Sequence, residues 1–439
     1  MNEALPTTAE PKNRFWAAIG GPIGLWSTVR KGGAELSWVL GGRFTSMGAN
    51  AALMLFLADR LDLPTYGLLV ITISGQLLIS RLLMLGVDIG MIRLIALPDL
   101  QSRDQEVVTA GLLIISWTSV VLFAVASLSV LLLSRFDIPA WIIACIVFGS
   151  IGTALVDYGY AFRLAYEQYP LAALAQGGTA LFRLGITSIT VVSFAAHPFA
   201  VLLSYHGASL CSGLFQALII AGRNWRGPDK SLKQRLLRYS WWLGQANVIV
   251  IFALYQGTFL LMLLKEPAET GIFGLALTLS LGFFAVYNAY GDYLLPRIRS
   301  VEHVRDIPSF VRRSFLTGIF LILACVPVVI ALAKLLPWFL GPQWLEVAPV
   351  FINLAASMLL LIIQAPLEAA CHYVLKPYLV TFGWLVRAIL SGVGALIFAS
   401  TTMEATGVAM GQLLGAALAL MVLSYVVSRV LQSATKAES

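Results

Sequence analysis

Long apolar stretches separated by short polar connections extend along most of the chain. A membrane-spanning α-helix needs about 20 predominantly apolar residues, because that length crosses the hydrocarbon core of a bilayer. Twelve stretches meet this requirement, namely residues 36–58, 66–91, 107–134, 139–162, 171–194, 200–222, 240–264, 271–295, 314–336, 347–373, 378–400 and 405–428. The pattern predicts an all-α, polytopic membrane protein with about twelve transmembrane helices and no soluble domain between them.

Four of the predicted spans carry an arginine away from their ends, namely Arg43, Arg81, Arg183 and Arg387. A guanidinium near the centre of a bilayer costs about 2.5 to 3.5 kcal/mol on insertion scales, so it must face a protein partner or a water-filled cavity. We therefore expect these arginines to line a cavity that binds an anion. Arginine suits phosphate because its planar group forms paired, permanently charged hydrogen bonds.

Uncharged polar residues share helix faces with some of these arginines. Positions seven or eleven apart lie on nearly the same face of a helix. Asn50 is thereby aligned with Arg43, Gln176 is aligned with Arg183, and Gln364 lies on a polar stripe with Glu368. We expect the three amides to face the same cavity and to contact substrate. The alternative is that each amide hydrogen-bonds a neighbouring helix.

The basic residues outside the spans are distributed unequally between the two sides of the predicted bundle. Of the 29 Lys and Arg residues, 21 lie on the side that the N-terminus shares and 4 on the other. Basic residues near helix ends stay on the cytoplasmic side of a membrane, so both termini are predicted to be cytoplasmic. Topology then accounts for the net charge of +7 without a nucleic-acid partner.

Four acidic residues lie within about two helical turns of the predicted cytoplasmic ends of their spans. They are Asp88, Asp157, Asp292 and Glu368. Acids inside a membrane are candidates for carrying a coupling ion, either H+ or Na+. The alternative is that they pair with basic residues at the same helix ends.

The chain contains an internal repeat. Ser37-Trp38-Val39-Leu40-Gly41 opens the first predicted span and Ser240-Trp241-Trp242-Leu243-Gly244 opens the seventh, 203 residues later. Gly86-Val87-Asp88 and Gly291-Asp292 are each followed by an arginine at nearly the same interval. Because six spans precede the second copy, the halves share one orientation. We predict two six-helix lobes around a central cavity.

This repeat divides the chain into five predicted regions. The N-terminal segment is predicted to be cytoplasmic or interfacial, because its aromatic residues have basic flanks. The regions are the N-terminal segment (1–35), the first lobe (36–222), a basic cytoplasmic linker (223–239), the second lobe (240–428) and a cytoplasmic tail (429–439).

The sequence offers no catalytic constellation. It has no nucleotide-binding P-loop and no cluster with the spacing of metal ligands or of a nucleophile with its base. The four cysteines lie in apolar stretches without a CxxC pair. We therefore predict a protein that is not an enzyme, with no catalytic residue, metal or cofactor.

Three short motifs in the chain are Leu57-Ala58-Asp59-Arg60-Leu61, Leu340-Gly341-Pro342-Gln343-Trp344 and Thr406-Gly407-Val408-Ala409. They resemble motifs of the polysaccharide-biosynthesis flippases of the multidrug, oligosaccharidyl-lipid and polysaccharide exporter superfamily. The resemblance implies two six-helix lobes around a central cavity and an oligosaccharide on undecaprenyl diphosphate as cargo. Arg43 stands where members that flip peptidoglycan precursor have a diphosphate-binding basic residue. The chain lacks their basic residue in the eighth span and their two additional helices, which favours the O-antigen or exopolysaccharide branch.

Our interpretation from sequence is therefore a flippase of the bacterial inner membrane. It would move the lipid-linked glycan from the cytoplasmic to the outer leaflet by alternating access, coupled to a cation. Its partners would be membrane lipid, a polymerase and other polysaccharide-assembly proteins. One alternative is a drug/cation antiporter of the same superfamily, which the deep arginines disfavour. Another is a membrane glycosyltransferase or polymerase, which the short external loops disfavour.

Overall fold

The computed structural model describes residues 21–95, 98–133, 139–194, 197–222, 227–298, 306–373, 378–400 and 403–438. These ranges contain thirteen α-helices and two short 3-10 helices, Pro98–Arg103 and Pro342–Trp344. The α-helices are α1 Gly21–Arg60, α2 Leu63–Met84, α3 Val87–Ile95, α4 Asp104–Leu133, α5 Ala140–Ala165, α6 Tyr169–Ser193, α7 Pro198–Ala221, α8 Lys230–Leu264, α9 Pro267–Ile298, α10 Ile307–Leu340, α11 Val347–Tyr373, α12 Tyr378–Ala399 and α13 Glu404–Glu438. The predicted all-α, multi-pass architecture is confirmed.

Ten helical segments in the described ranges are long and apolar enough to cross a membrane. Helices α1 and α6 are not among them, and they contain Arg43 and Arg183 respectively. The two helices pack against each other along much of their length. Their polar residues are therefore partly shielded from lipid by the partner helix, which reduces the cost of placing an arginine in a span.

The second predicted span is two helices, because the chain bends between α2 and α3. Leu85 and Gly86 both adopt the left-handed conformation, with φ of 47° and 74°. A side chain on Gly86 would lie 2.6 Å from the backbone nitrogen of Gly244 in α8. Glycine at this position therefore permits both the bend and the close approach of α8.

The same helix pairs pack in the two halves of the chain. In the first half α1 packs on α6, α2 on α5, and α5 on α7. In the second half the equivalent pairs are α8 with α12, α9 with α11, and α11 with α13. The equivalent helices α2 and α9 also pack against each other in the most extensive contact between the lobes, and α8 adds contacts with α2 and α3.

The contact between α2 and α9 is tightest where both helices begin, on the side of the bundle away from the termini. A side chain on Gly271 would lie 2.9 Å from the Leu63 carbonyl oxygen and 3.2 Å from the Gly67 nitrogen. A side chain on Gly67 would in turn collide with the Pro267 carbonyl. The two contacts are related by an offset of 204 residues, so the symmetry axis of the repeat passes between them. We call these four residues the glycine seam.

Helix α8 begins ten residues before the apolar stretch that predicted it. Asp229 caps its N-terminus, because its carboxylate accepts hydrogen bonds from the Ser231 nitrogen at 2.6 Å and the Ser231 hydroxyl at 3.0 Å. Arg103 forms an ion pair with Asp229 at 3.3 Å. The hydrogen bonds from Ser231, followed by the charge of Arg103, lower the pKa of Asp229. The start of α8 is thereby connected to the loop before α4.

Candidate functional site

A cavity of about 590 Å³ lies between the two lobes. Helices α1, α2 and α6 of the first half and α8, α9 and α12 of the second half contribute its walls. Its lining residues lie in the half of the bundle nearer the termini, which is the predicted cytoplasmic side. The glycine seam closes the contact of α2 with α9 on the opposite side.

The first-lobe wall of the cavity is basic. Arg43 from α1, Arg81 from α2 and Gln176 from α6 line it. Arg81 forms an ion pair with Asp157 of α5, with 3.1 Å between Nη2 and Oδ2. The side chains of this pair are 26% and 29% exposed, and Asp88 lies close enough to interact electrostatically with both. Two guanidinium groups and an amide therefore face the cavity, and the Arg81 guanidinium is paired with the Asp157 carboxylate.

The second-lobe wall is aromatic. Phe284 and Tyr287 of α9 stack with ring centroids 5.4 Å apart, and Trp384 of α12 meets Tyr287 at 6.3 Å. Asn247 and Asn288 add amide groups. Among the described residues, no charged side chain lines this wall. The cavity is thus polarised between a cationic face and an aromatic face.

A buried polar layer lies behind the aromatic wall. Glu368 of α11 is 8% exposed and accepts hydrogen bonds from the Tyr287 hydroxyl at 2.5 Å and the Gln364 amide at 2.7 Å. Arg387 of α12 is 3% exposed and donates to the carbonyl and hydroxyl oxygens of Ser357, at 2.9 and 2.8 Å. Tyr287 belongs both to the cavity and to this layer, so it connects the Glu368 carboxylate to the cavity.

Arg183 lies inside the first lobe. Its Nη1 donates to the Tyr205 hydroxyl of α7 at 3.1 Å, and its guanidinium stands 4.7 Å from the centre of the Tyr205 ring. Tyr205 thus supplies both a hydrogen-bond acceptor and a cation–π partner, which offsets the cost of placing the charge there. Arg183 is not among the residues that line the cavity.

The expectation that one cavity gathers all the polar candidates is therefore corrected. The structure brings Arg43, Arg81 and Gln176 together at the cavity. The other four substrate-contact candidates lie elsewhere, namely Asn50, Arg183, Gln364 and Arg387. Helical spacing identifies a shared face, but it does not identify the neighbouring helix that the face meets.

The acidic candidates also occupy different environments. Asp157 and Asp88 surround Arg81 at the cavity, whereas Glu368 is buried in the second lobe. The side chain of Asp292 lies outside the described part of the chain. Asp88 and Asp157 therefore have Arg81 as an electrostatic partner, and Glu368 has Arg387 in addition to its neutral hydrogen-bond donors.

Two polar clusters were missed by sequence reasoning. Gln76 of α2 donates to Thr153 of α5 at 2.5 Å, and His206 of α7 lies 3.2 Å from the Thr72 hydroxyl. The sequence signal for this first cluster was the presence of Gln76 and His206 inside apolar stretches.

The second cluster joins Glu269, Glu346 and Glu404, whose carboxylate oxygens lie within 4.8 Å of one another. Glu269 caps α13 there, because it accepts from the Ala405 nitrogen at 2.9 Å.

Solved structures share this fold over nearly the whole chain. One is an inward-facing multidrug resistance MATE family transporter of the MOP superfamily, with a TM-score of 0.58 and 15% identity over 90% of this chain and 96% of that one. Another is the lipid II flippase MurJ in an inward closed conformation, with a TM-score of 0.68 and 10% identity over 88% and 86%. A third is a MOP superfamily transporter from Pyrococcus furiosus, described as having a binding pocket of reversed polarity, with a TM-score of 0.58 and 14% identity over 91% and 95%. No protein-family model and no curated protein matches the chain.

Proposed function

We propose that this chain is a flippase that carries an oligosaccharide on undecaprenyl diphosphate across the bacterial inner membrane. The polarity of the cavity is the observation that supports this substrate. Arg43 and Arg81 suit the diphosphate, since guanidinium groups form charge-assisted, paired hydrogen bonds with phosphate oxygens. Phe284 is half-buried and Tyr287 and Trp384 are mostly buried, and together they give this wall an aromatic surface that suits a sugar chain.

The proposal also rests on the size and position of the cavity. A volume of about 590 Å³ falls within the range of small-molecule sites, about 300 to 1,000 Å³. It accommodates a diphosphate and the first sugars, while the polyprenyl tail remains in lipid. The structural neighbour named as a lipid II flippase has a lipid-linked substrate, which is consistent with such a cargo.

Translocation would proceed by rocking the lobes about their contact. The cavity lies toward the predicted cytoplasmic side, so we assign this conformation to substrate loading. Separation of α2 from α9 at the glycine seam would then open the outer side. A polymerase and other polysaccharide-assembly proteins are the partners that would receive the cargo.

We propose Glu368 as the residue that couples this motion to a cation. Its carboxylate is buried and reaches the cavity through the Tyr287 hydroxyl, which can pass a proton. Asp157 is a weaker candidate, because it forms a direct ion pair with Arg81, whereas Arg387 beside Glu368 donates its hydrogen bonds to Ser357. Asp88 is a weaker candidate because its electrostatic partners are the two members of that pair. Asp292 stays a candidate from sequence.

A drug/cation antiporter is the second candidate, and the aromatic wall favours it because ring faces attract cations. The MATE transporters among the structural neighbours agree with that activity. The basic wall opposes it, since a cationic drug in the cavity would face the guanidinium groups of Arg43 and Arg81. The two functions therefore differ in the sign of charge that the cavity prefers.

The test is binding of two probes to the purified protein, undecaprenyl diphosphate and the lipophilic cation tetraphenylphosphonium. We expect the diphosphate to bind more tightly, and Arg43→Ala to weaken its binding by at least about 10-fold, since a charge-assisted hydrogen bond contributes about 1.5 to 3 kcal/mol. Arg60→Ala is the matched control, because Arg60 pairs with the exposed Asp59 outside the cavity. Equal diphosphate binding by the Arg43→Ala and wild-type proteins, or tighter binding of the cation, would reject the proposal.

The same variants can be tested in cells. A host that depends on the protein for its surface glycan should lose that glycan with Arg43→Ala and keep it with Arg60→Ala, at equal protein levels.

A further inference from the structure

An open groove of about 610 Å³ lies on the surface of the second lobe that faces away from the central cavity, at the end of the bundle where the termini lie. Helices α10, α11 and α13 form it. Its walls are apolar, and they include Val311, Phe315, Leu367 and Val427. Polar groups stand beside these walls, chiefly Arg312 and Ser428. The groove therefore combines an apolar trough with a cationic group.

The groove is separate from the central cavity. Helix α11 packs against α9 on one side and against α10 and α13 on the others. Leu367 of α11 lines the groove, whereas the next residue, Glu368, accepts its hydrogen bond from the cavity-lining Tyr287. The groove is thus on the lipid side of α11, and a ligand there would not occupy the substrate position.

The equivalent position in the first lobe is closed. Helices α4, α5 and α7 enclose a space of only about 90 Å³ there. The Tyr166 hydroxyl donates to the Asp104 carboxylate across it at 2.6 Å, and Phe162 also lines it. The first lobe therefore has a small space beside Asp104, whereas the second lobe has a large groove beside Arg312.

Arg312 is available to a ligand. Its side chain is exposed, and it forms no ion pair or hydrogen bond with any residue that the structure describes. Little of α10 is buried within the protein, so most of this helix faces lipid. The cytoplasmic leaflet carries anionic lipids, and basic residues near its surface attract them. The apolar groove therefore suits an acyl chain, and Arg312 suits the phosphate of the same lipid molecule.

We propose that this groove binds an anionic phospholipid of the cytoplasmic leaflet. The headgroup phosphate pairs with Arg312, and one acyl chain lies along the groove against the half-buried Phe315, over a floor that the buried Leu367 and Val427 form. The lipid then occupies the space between α10 and α13. This proposal does not depend on the identity of the transported cargo.

The test compares phosphatidylglycerol with phosphatidylcholine of the same acyl chains, added to the delipidated full-length protein and measured by native mass spectrometry. We expect the first phosphatidylglycerol to bind about 5-fold more tightly than phosphatidylcholine, because each basic residue near the membrane surface contributes about 1 kcal/mol. Arg312→Gln should abolish this preference. Arg313→Gln should retain it, since Arg313 is equally exposed but does not line the groove.

A second variant fills the groove without changing its charge. Ser428→Trp should lower binding of both phospholipids at this site by about the same factor, because Ser428 lines the groove and is exposed. Retention of the preference in Arg312→Gln, its equal loss in Arg313→Gln, or unchanged binding in Ser428→Trp would each overturn the proposal. Displacement of the first phosphatidylglycerol by undecaprenyl phosphate at equal concentration would also overturn it, because the groove would then belong to the cargo lipid.

Discussion

Neutralising Asp157 should destabilise the first lobe and, at the same time, strengthen anion binding in the cavity. Asp157 holds Arg81 through an ion pair of 3.1 Å whose side chains are 26% and 29% exposed. Removing one partner of a buried pair costs about 3 to 5 kcal/mol, whereas an exposed pair contributes about 0 to 1 kcal/mol. At this intermediate exposure, Asp157→Asn should lower the free energy of unfolding by about 1 to 2 kcal/mol.

The effect on binding has the opposite sign. Without the Asp157 carboxylate, Arg81 can direct its donors to a ligand phosphate instead. A charge-assisted hydrogen bond contributes about 1.5 to 3 kcal/mol, so undecaprenyl diphosphate should bind about 10-fold more tightly or better. A residue that served only to hold the helices together would lose stability without this gain.

The assay combines thermal unfolding in detergent with the dissociation constant of undecaprenyl diphosphate. Asp59→Asn is the matched control, because the Asp59–Arg60 pair is 60% and 58% exposed and should contribute little. Asp88 also interacts with Arg81, so the double variant Asp88→Asn/Asp157→Asn shows whether Asp88 takes over the pairing. Weaker diphosphate binding by Asp157→Asn, or a destabilisation no larger than that of Asp59→Asn, would refute this reasoning.

Two further predictions concern the buried acid and the helix cap. Glu368→Gln keeps the side-chain shape but cannot ionise, so uptake of lipid-linked glycan into proteoliposomes should lose its dependence on a proton or sodium gradient, while substrate binding is unchanged. Asp229→Ala removes the cap of α8, and amide hydrogen exchange near Ser231 should rise at pH 7. Because the pKa of Asp229 is lowered in the folded protein, this stabilisation is present above the unfolded pKa of about 3.9 and is lost as pH falls through the folded value.

Both predictions have a control. Glu266→Gln alters an exposed acid in the loop before α9 and should leave ion dependence intact. Persistent ion dependence in Glu368→Gln would remove that residue as the coupling group. For Asp229, thermal unfolding of the wild type and the variant should differ at pH 7 and converge only below the folded pKa of Asp229, which is lower than the unfolded value of about 3.9. A difference that grows on acidification would show that the charge of Asp229 does not stabilise the cap.

The spans could be predicted from sequence because the cost of burying polar backbone and side chains in lipid dominates every other term. The bend at Leu85 and Gly86 could not, since the apolar pattern continues through it. The bend places Gly86 against Gly244 of α8, more than 150 residues away in the chain. The residues around Gly86 do not indicate which distant helix they will contact.

The candidate site was predictable only in part, for the same reason. Arg43 and Arg183 have similar sequence surroundings, yet one lines the cavity and the other lies on the Tyr205 ring. The ring comes from α7, and only the packing of α6 on α7 brings it to Arg183. The aromatic wall was missed because Tyr287 and Trp384 look like ordinary apolar residues until both helices are placed.

The glycine seam has a mechanical consequence. Its contacts bring backbone atoms of the two helices together, with the Tyr66 ring beside Gly271. Each lost pair of atoms in such a surface costs only about 0.1 to 0.2 kcal/mol. In the proposed rocking motion, the seam would therefore keep the two lobes in register and add little to the cost of separating them. A single added methyl group at Gly271 would then change which state of the bundle is preferred before it changed whether the bundle folds.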